Sequence, residues 1–404
     1  MRSIKLLLAV GVVFTAMAVF GANSALARGG SAGVYFQTNS EPDNYVQSYV
    51  RNRDGTLDQG PLVATGGSGE NTASPFSPHG FPLLDSANSV VLSDNGQLLF
   101  AVNAGSDSIS SFRVTRHGLE LADQIGSRGD LPISIAVTNK GPGRALVYVL
   151  NEWSGNIAGF TAEQDGDLRF LNGSVRSLSI PGPDGASAMI GFEDGAKTLT
   201  VSQRGAILDP VTGEYIGTGP DLIDVFKMRH GLPGPAIQHP SIGEDPFGFA
   251  YTKRDHLVMS DSGIFGTATT YDLDTRTGGL APIGHVAANG AAPCWVVLTR
   301  DDEYAYMTNS LSQSISTFGI ARDGDIEFRA LTPTTNNAAL DEDSSDDGRY
   351  LYVLNTLVVP IDPFHFNFVE TRIDQFRIHS DGALTLLDTT DPVPFGGASG
   401  LAAS

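Results

Sequence analysis

Short apolar runs, each closed by a small polar residue, recur along the chain. Examples are Val34-Tyr35-Phe36-Gln37-Thr38-Asn39, Leu98-Leu99-Phe100-Ala101-Val102-Asn103, Val147-Tyr148-Val149-Leu150-Asn151 and Tyr304-Ala305-Tyr306-Met307-Thr308-Asn309. Runs of this length, bounded by turn residues, predict β-strands. A second run follows each one and carries an aromatic at Tyr49, Phe112, Phe160, Phe226, Tyr271, Phe318 or Phe376. A glycine turn such as Asp54-Gly55, Asp165-Gly166, Asp323-Gly324 or Asp381-Gly382 then leads into a third run, and Asp-Gly at that place predicts a hairpin. Another short strand precedes each unit, as in Pro132 to Val137, Ala188 to Phe192, Pro246 to Ala250, Pro293 to Leu298 and Leu340 to Ser345. The aromatics stand about 54 residues apart on average, which marks an internal repeat. Four strands per repeat and seven repeats predict an all-β, seven-bladed β-propeller. The first repeat lacks its innermost strand, and Ala398 to Ala403 at the C-terminus matches the missing piece, so the last strand is expected to close the ring.

The first 27 residues stand outside this pattern. Arg2 and Lys5 precede the apolar stretch Leu6 to Phe20, and Ala25-Leu26-Ala27 offers a signal-peptidase site, so residues 1–27 read as a signal peptide and 28–404 as one propeller domain. An uncleaved anchor is the other reading of that stretch, but 15 apolar residues are short for a bilayer core, which needs about 20. An exported protein, periplasmic or extracellular and monomeric, is the expectation. The chain has 47 glycines, in keeping with many tight turns, and a formal charge of −20, which becomes −22 once Arg2 and Lys5 leave with the leader. That charge argues against nucleic acid and anionic membranes as partners. The single cysteine, Cys294, excludes internal disulfides and cysteine-rich zinc sites.

The strand ends of aromatic-x-x-Asn form, the Asp-Gly-x-Leu hairpins and the Ala292-Pro293-Cys294-Trp295 segment resemble the lactonase family of seven-bladed propellers, which includes 6-phosphogluconolactonases and carboxymuconate-lactonizing enzymes. The likeness spans residues 33 to 403 and implies lactone chemistry. The family's usual His-Pro-His-Ser motif falls here on Ser86-Ala87-Asn88-Ser89, its Gly-Pro-Arg-His motif on Ala186-Ser187-Ala188-Met189, and its Asn-Glu-Leu motif on Ser202-Gln203-Arg204. Gln and Met exchange no proton near neutral pH, so hydrolysis by this chain requires other groups.

Topology nominates them. The ends of the second strands and the starts of the innermost strands converge on one mouth of the central channel. Glu152 and Asp261 are the candidate proton-transfer residues, because a carboxyl in a narrow channel has a raised pKa. Arg204, Gln203, Asp245, Cys294, Trp295 and Phe366 are candidates for ligand binding, and a blade-bridging ion pair is the other reading of Arg204 and the carboxylates. Asn103, Asn151 and Asn309 read as turn residues. The acidic run Asp341-Glu342-Asp343 replaces apolar residues on an innermost strand, and Asp341 and Asp343 are candidate oxygen ligands for calcium, though no other cofactor is required. Three long segments, Ala64 to Asn88, Arg204 to Asp221 and Thr356 to Arg372, are expected as loops on the mouth face. The last includes the apolar cluster Phe364 to Phe368. The expectation is a propeller that binds a small polar ligand at the channel mouth and hydrolyses a lactone or related ester. The alternative is a non-catalytic propeller that binds a cell-envelope protein or glycan.

Overall fold

A computed structural model describes residues 32–70, 84–141, 144–182, 185–205, 207–208, 215–216, 219–263, 265–336, 338–362 and 365–404; the side chains at 207–208, 215–216, 360–362 and 365–367 are not described. The leader and the Ala64 to Asn88 segment therefore lie wholly or partly outside the description. No helix among the described residues is long and apolar enough to cross a membrane.

Seven antiparallel sheets form the ring, each four strands deep from an innermost to an outermost strand, with the outer edge of blade 3 split into Leu168–Phe170 and Arg176–Ser177. The innermost strands of blades 2 to 7 are Val90–Leu92, Pro132–Asn139, Ser187–Phe192, Pro246–Tyr251, Pro293–Leu298 and Ala338–Ser344. Blade 1 receives its innermost strand from the C-terminus: Ser399–Ala403 pairs with Gly33–Gln37, with Val34 opposite Ala403. Ser404 pins this closure, its N–H donating to the Gly33 carbonyl at 3.0 Å and its own carbonyl accepting from Arg51 Nε at 3.0 Å.

The seven aromatic anchors are all buried between blades. The hairpin turns serve a second purpose. Tyr148, Tyr306 and Tyr352 each donate a hydroxyl to the turn carbonyl of the next blade, at Gly231, Gly382 and Gly55, at 2.7, 3.0 and 3.0 Å. A turn that fixes the outer hairpin thus also locks one blade to its neighbour.

Thr356 to Arg372 is not a loop. Tyr350–Asp362 and His365–Ile378 continue as one long ribbon beyond the blade, with Thr356 opposite Thr371 and Val358 opposite Phe368. β-branched and aromatic residues on both arms favour that extended pairing over an irregular path. The Arg204 to Asp221 segment carries a small hairpin, Ile207 opposite Ile216.

Candidate functional site

Two backbone features at the start of four innermost strands shape the channel mouth. The residue just before the strand is left-handed in four blades: Leu131, Ala186, Asp245 and Ala292 have φ of 56°, 38°, 59° and 52°. Non-glycine residues rarely adopt this region, and such strain concentrates at functional sites. One or two residues into the strand the register slips, between Pro132 and Ser134, Ser187 and Met189, Pro246 and Phe249, and Pro293 and Trp295. A bulge of this kind re-aims side chains.

Arg204 is the hub of the mouth. Its guanidinium is only 3% exposed and is held by the Asp85 carboxylate at 2.9 Å, by the Ala186 carbonyl at 3.0 Å from Nε, and by Asp245 at 3.7 Å. It lies 5.0 Å above the Phe247 ring, a cation–π arrangement, and Phe247 meets Trp295 edge-on at 5.2 Å. The indole N–H of Trp295 donates to the Ser86 carbonyl at 3.2 Å, so the side chain reaches from blade 6 to the lead-in of blade 2. Burial opposes the charge on Arg204, but Asp85, Asp245 and Glu152 outweigh it and the pKa is raised.

The surrounding carboxyls behave differently from one another. Glu152, 3% exposed, is pushed up to about 8, first by burial and partly relieved by Arg204. Its carboxyl forms no hydrogen bond among the described residues, and it lies within electrostatic reach of Arg204 without pairing with it. Asp245 rises to about 7 and Asp221 to about 6, again chiefly through burial. The side chain of Asp85 is 37% exposed and is the open edge of the cluster.

Asp261 is turned into its blade. Its Oδ2 accepts the hydroxyls of Thr267, at 2.8 Å, and Thr269, and its pKa rises to about 7 through burial. The same position in other blades holds Asn103, which donates to Ser108 and Ser110, and Asn309, which donates to Ser314 and Ser316. These asparagines cross-link the second and third strands, a larger role than turn chemistry. Glycine at 243 and 290, on the loops that cross into blades 5 and 6, is required by close approach, because a Cβ at either position would overlap the Asp261 carboxyl or the Asn309 amide. Gln203 is likewise committed: its amide exchanges hydrogen bonds with the backbone of Ile180 at 2.7 and 3.3 Å.

Cys294 is buried, its thiol pushed up to about 12 by burial, with Ser262 Oγ at 3.3 Å and Ser310 Oγ at 3.6 Å. It is a poor nucleophile there. The backbone of Phe366 pairs with Pro360 on the blade 7 ribbon, and its side chain lies outside the description. Asp343 gives both oxygens to backbone N–H groups, of Ser344 at 2.7 Å and Ala403 at 2.8 Å. Among the described residues no group of three or more His, Cys, Asp or Glu side chains is placed to hold a metal ion. Sequence reading missed Asp85, the direct partner of Arg204; its one signal was an acid just ahead of the blade 2 innermost strand. A separate cavity of about 380 Å³ opens at the other end of the ring, between blades 6 and 7, lined by Arg300, Tyr304, Asp347 and His379 among others; no charged residue of the mouth contributes to it.

Residues 31–177 match the family described as Lactonase, 7-bladed beta-propeller. No curated protein matches the chain in sequence. Among solved structures, the periplasmic gluconolactonase of Pseudomonas aeruginosa is 16% identical, with a TM-score of 0.64 over 92% of this chain and 98% of that one. A candidate 6-phosphogluconolactonase from Bacteroides uniformis is 16% identical, with a TM-score of 0.64 over 93% and 100%. A protein from Lactobacillus plantarum is 15% identical, with a TM-score of 0.63 over 93% and 99%. These likenesses establish the fold, and through it the chain resembles the lactonase family of seven-bladed β-propellers, by sequence over residues 31–177 and by architecture around the whole ring.

Proposed function

We propose that this propeller is exported behind a cleaved leader, residues 1–27, and hydrolyses a lactone or related ester at the channel mouth. One observation carries the reading. Glu152 is a buried carboxyl with no hydrogen-bond partner among the described residues, pushed up to about 8, beside an arginine fixed from three sides. A base with a pKa near working pH and a preorganised cation are what acyl hydrolysis needs. In its ionised form Glu152 takes a proton from water as the water oxygen bonds to the lactone carbonyl carbon, while Arg204 faces the charge that grows on the carbonyl oxygen. The ring C–O bond then breaks and the leaving oxygen recovers the proton from Glu152, which gives a hydroxy acid. Fixed donors of this kind each contribute about 10²- to 10³-fold in known acyl-transfer sites.

The neutralised carboxyls matter to this reading. With Glu152 near 8 and Asp245 near 7, the mouth at neutral pH carries far less negative charge than its composition suggests, so a neutral carbonyl compound can approach. A non-catalytic propeller that binds an envelope protein or glycan is favoured by a different observation: Glu152 and Arg204 are each only 3% exposed, as a structural ion cluster would be. A lactone and ester screen on residues 28–404 with the Glu152→Gln variant separates the two. The hydrolytic reading expects kcat/KM to rise with pH through about 8 and to fall at least 100-fold in Glu152→Gln. Equal rates in both proteins sink it.

A further inference from the structure

We propose that the lactone taken at this mouth is uncharged and carries an apolar acyl or aryl arm, which lies along an apolar edge formed by Ile242, Phe265 and Leu311. This rests on the hydrolytic reading above, and two independent features of the mouth point to it.

The first is charge. Asp85, Glu152, Asp221, Glu244 and Asp245 act on one another across the mouth, and Arg204 is the cation that relieves them. Asp85 already occupies one of its nitrogens at 2.9 Å. Even without Glu152 and Asp245, a phosphate or carboxylate on the substrate would meet Asp85, Asp221 and Glu244 against the guanidinium of Arg204, with no lysine or second arginine to grip it among these groups. A substrate without charge avoids that repulsion.

The second is the exposed apolar edge. Phe265 is 93% exposed and Leu311 and Ile242 are also open to solvent, whereas the aromatic anchors of the blades are buried. All three stand on loops tied to the site. The loop that carries Phe265 starts at Ser262, whose N–H donates to the Asp245 carbonyl at 2.7 Å and whose hydroxyl is 3.3 Å from Cys294 Sγ. Leu311 follows Ser310, whose hydroxyl is 3.6 Å from the same sulfur. Ile242 lies three residues before Asp245, and a Cβ at Gly263 would touch Glu244 at 3.5 Å, so its loop and that of Phe265 pack side by side. Exposed apolar side chains gathered beside a site mark binding.

The test compares γ-butyrolactone, which has no arm, γ-decalactone, which has an apolar one, and 6-phosphogluconolactone, which is anionic. The expected kcat/KM for γ-decalactone is at least tenfold that for γ-butyrolactone, with no turnover of the phosphorylated lactone. Phe265→Ser with Leu311→Ser should bring the ratio down to about one, and an unchanged melting curve would show the variant folded. Equal values for the two neutral lactones in the wild type, or a preference for the phosphorylated one, would overturn the inference while leaving hydrolysis standing. If no lactone is hydrolysed, the hydrolytic reading falls and the arm site is judged by binding. Trp153, next to Glu152 and half exposed, and Trp295 are the two tryptophans. A saturable change in their emission with γ-decalactone, lost in the double variant, supports the arm site, and no change in the wild type overturns it.

Discussion

The channel mouth and the innermost strand of blade 7 both bury several carboxyls, and they resolve the cost in different ways. At the mouth a guanidinium is embedded among Asp85, Asp245 and Glu152, with Phe247 beneath it. On the blade 7 strand, Asp341 and Glu342 are pushed well above the usual carboxylate range and Asp343 to about 7, all first by burial. Neither oxygen of Glu342 finds a partner among the described residues. Asp343 instead accepts the backbone N–H of Ala403 across the blade interface at 2.8 Å, so this acid serves the strand that closes the ring. A buried acid with a fixed cation and an open edge suits a ligand. A buried acid that holds its proton or accepts backbone N–H groups suits closure.

The comparison breaks most severely at the seam. Deleting Ser399 to Ser404 removes five buried strand residues and uncovers sheet edges on either side. Against a total stability of about 5–15 kcal/mol for a typical protein, the truncated chain is expected to show no cooperative thermal transition by circular dichroism. An unchanged melting temperature would mean that the ring holds without its last strand. The next largest effect belongs to the mouth. Arg204→Ala leaves Asp85 and Asp245 facing each other without a cation, and breaking a buried pair in this way costs about 3–5 kcal/mol. Asp85→Asn should cost less, since Asp85 is partly solvated. Denaturant midpoints for the two variants test the order, and a larger loss for Asp85→Asn would show that Arg204 is not the hub.

The seam and the mouth were not equally legible in the sequence. Closure by the C-terminus could be read because a repeat reveals its own missing strand, and the aromatic anchors could be read because burial between blades demands them at a fixed step. The convergence of Glu152, Arg204, Asp245 and Trp295 followed from which strand ends share a face of the sheet. Side-chain reach did not follow: nothing in the spacing showed that Arg204 of blade 4 would find Asp85 ahead of blade 2, or that Trp295 would span to Ser86. The repeat carried a warning about Asp261, which stands where other blades have Asn103 and Asn309. Those residues bond the third strand, and Asp261 does the same through Thr267 and Thr269. The ribbon at 356–371 was hidden by the length of the segment, which read as a loop, although Val358 pairs with Phe368 and Pro360 with Phe366 across register shifts at Leu357/Val358 and Pro360/Asp362.

A smaller effect concerns pH at the seam. The folded pKa of Asp343, about 7, lies above its ordinary value of 3.8, so its contribution to stability is fully present below about 4 and is lost as pH rises to about 7. Asp347, Asp54, Asp274 and Asp301 are lowered and act in the opposite sense, losing their contribution only as pH falls below the carboxylate range. Denaturant midpoints should therefore be highest on the mildly acidic side of neutrality and decline toward pH 8, with a shallower decline in Asp343→Asn. A flat profile in the wild type would show that the strand is solvated.

A change of similar size is expected at Glu152, and it sharpens the distinction between the two regions. Its folded pKa of about 8 against an ordinary value of 4.5 means that its contribution to stability is fully present below about 4.5 and is lost up to about 8, then changes no further. Glutamine at 152 does not titrate. Glu152→Gln should therefore match the wild type near pH 5 and be more stable near pH 9, while its hydrolytic rate falls at pH 9, where the wild-type carboxyl is ionised. A pure ion cluster would behave in the reverse way: Glu152 would be ionised and stabilising throughout, and Glu152→Gln would lose stability at pH 9 with no effect on any ligand. Midpoints at the two pH values, measured beside the lactone assay, decide whether the mouth keeps this carboxyl for chemistry or for holding Arg204 in place.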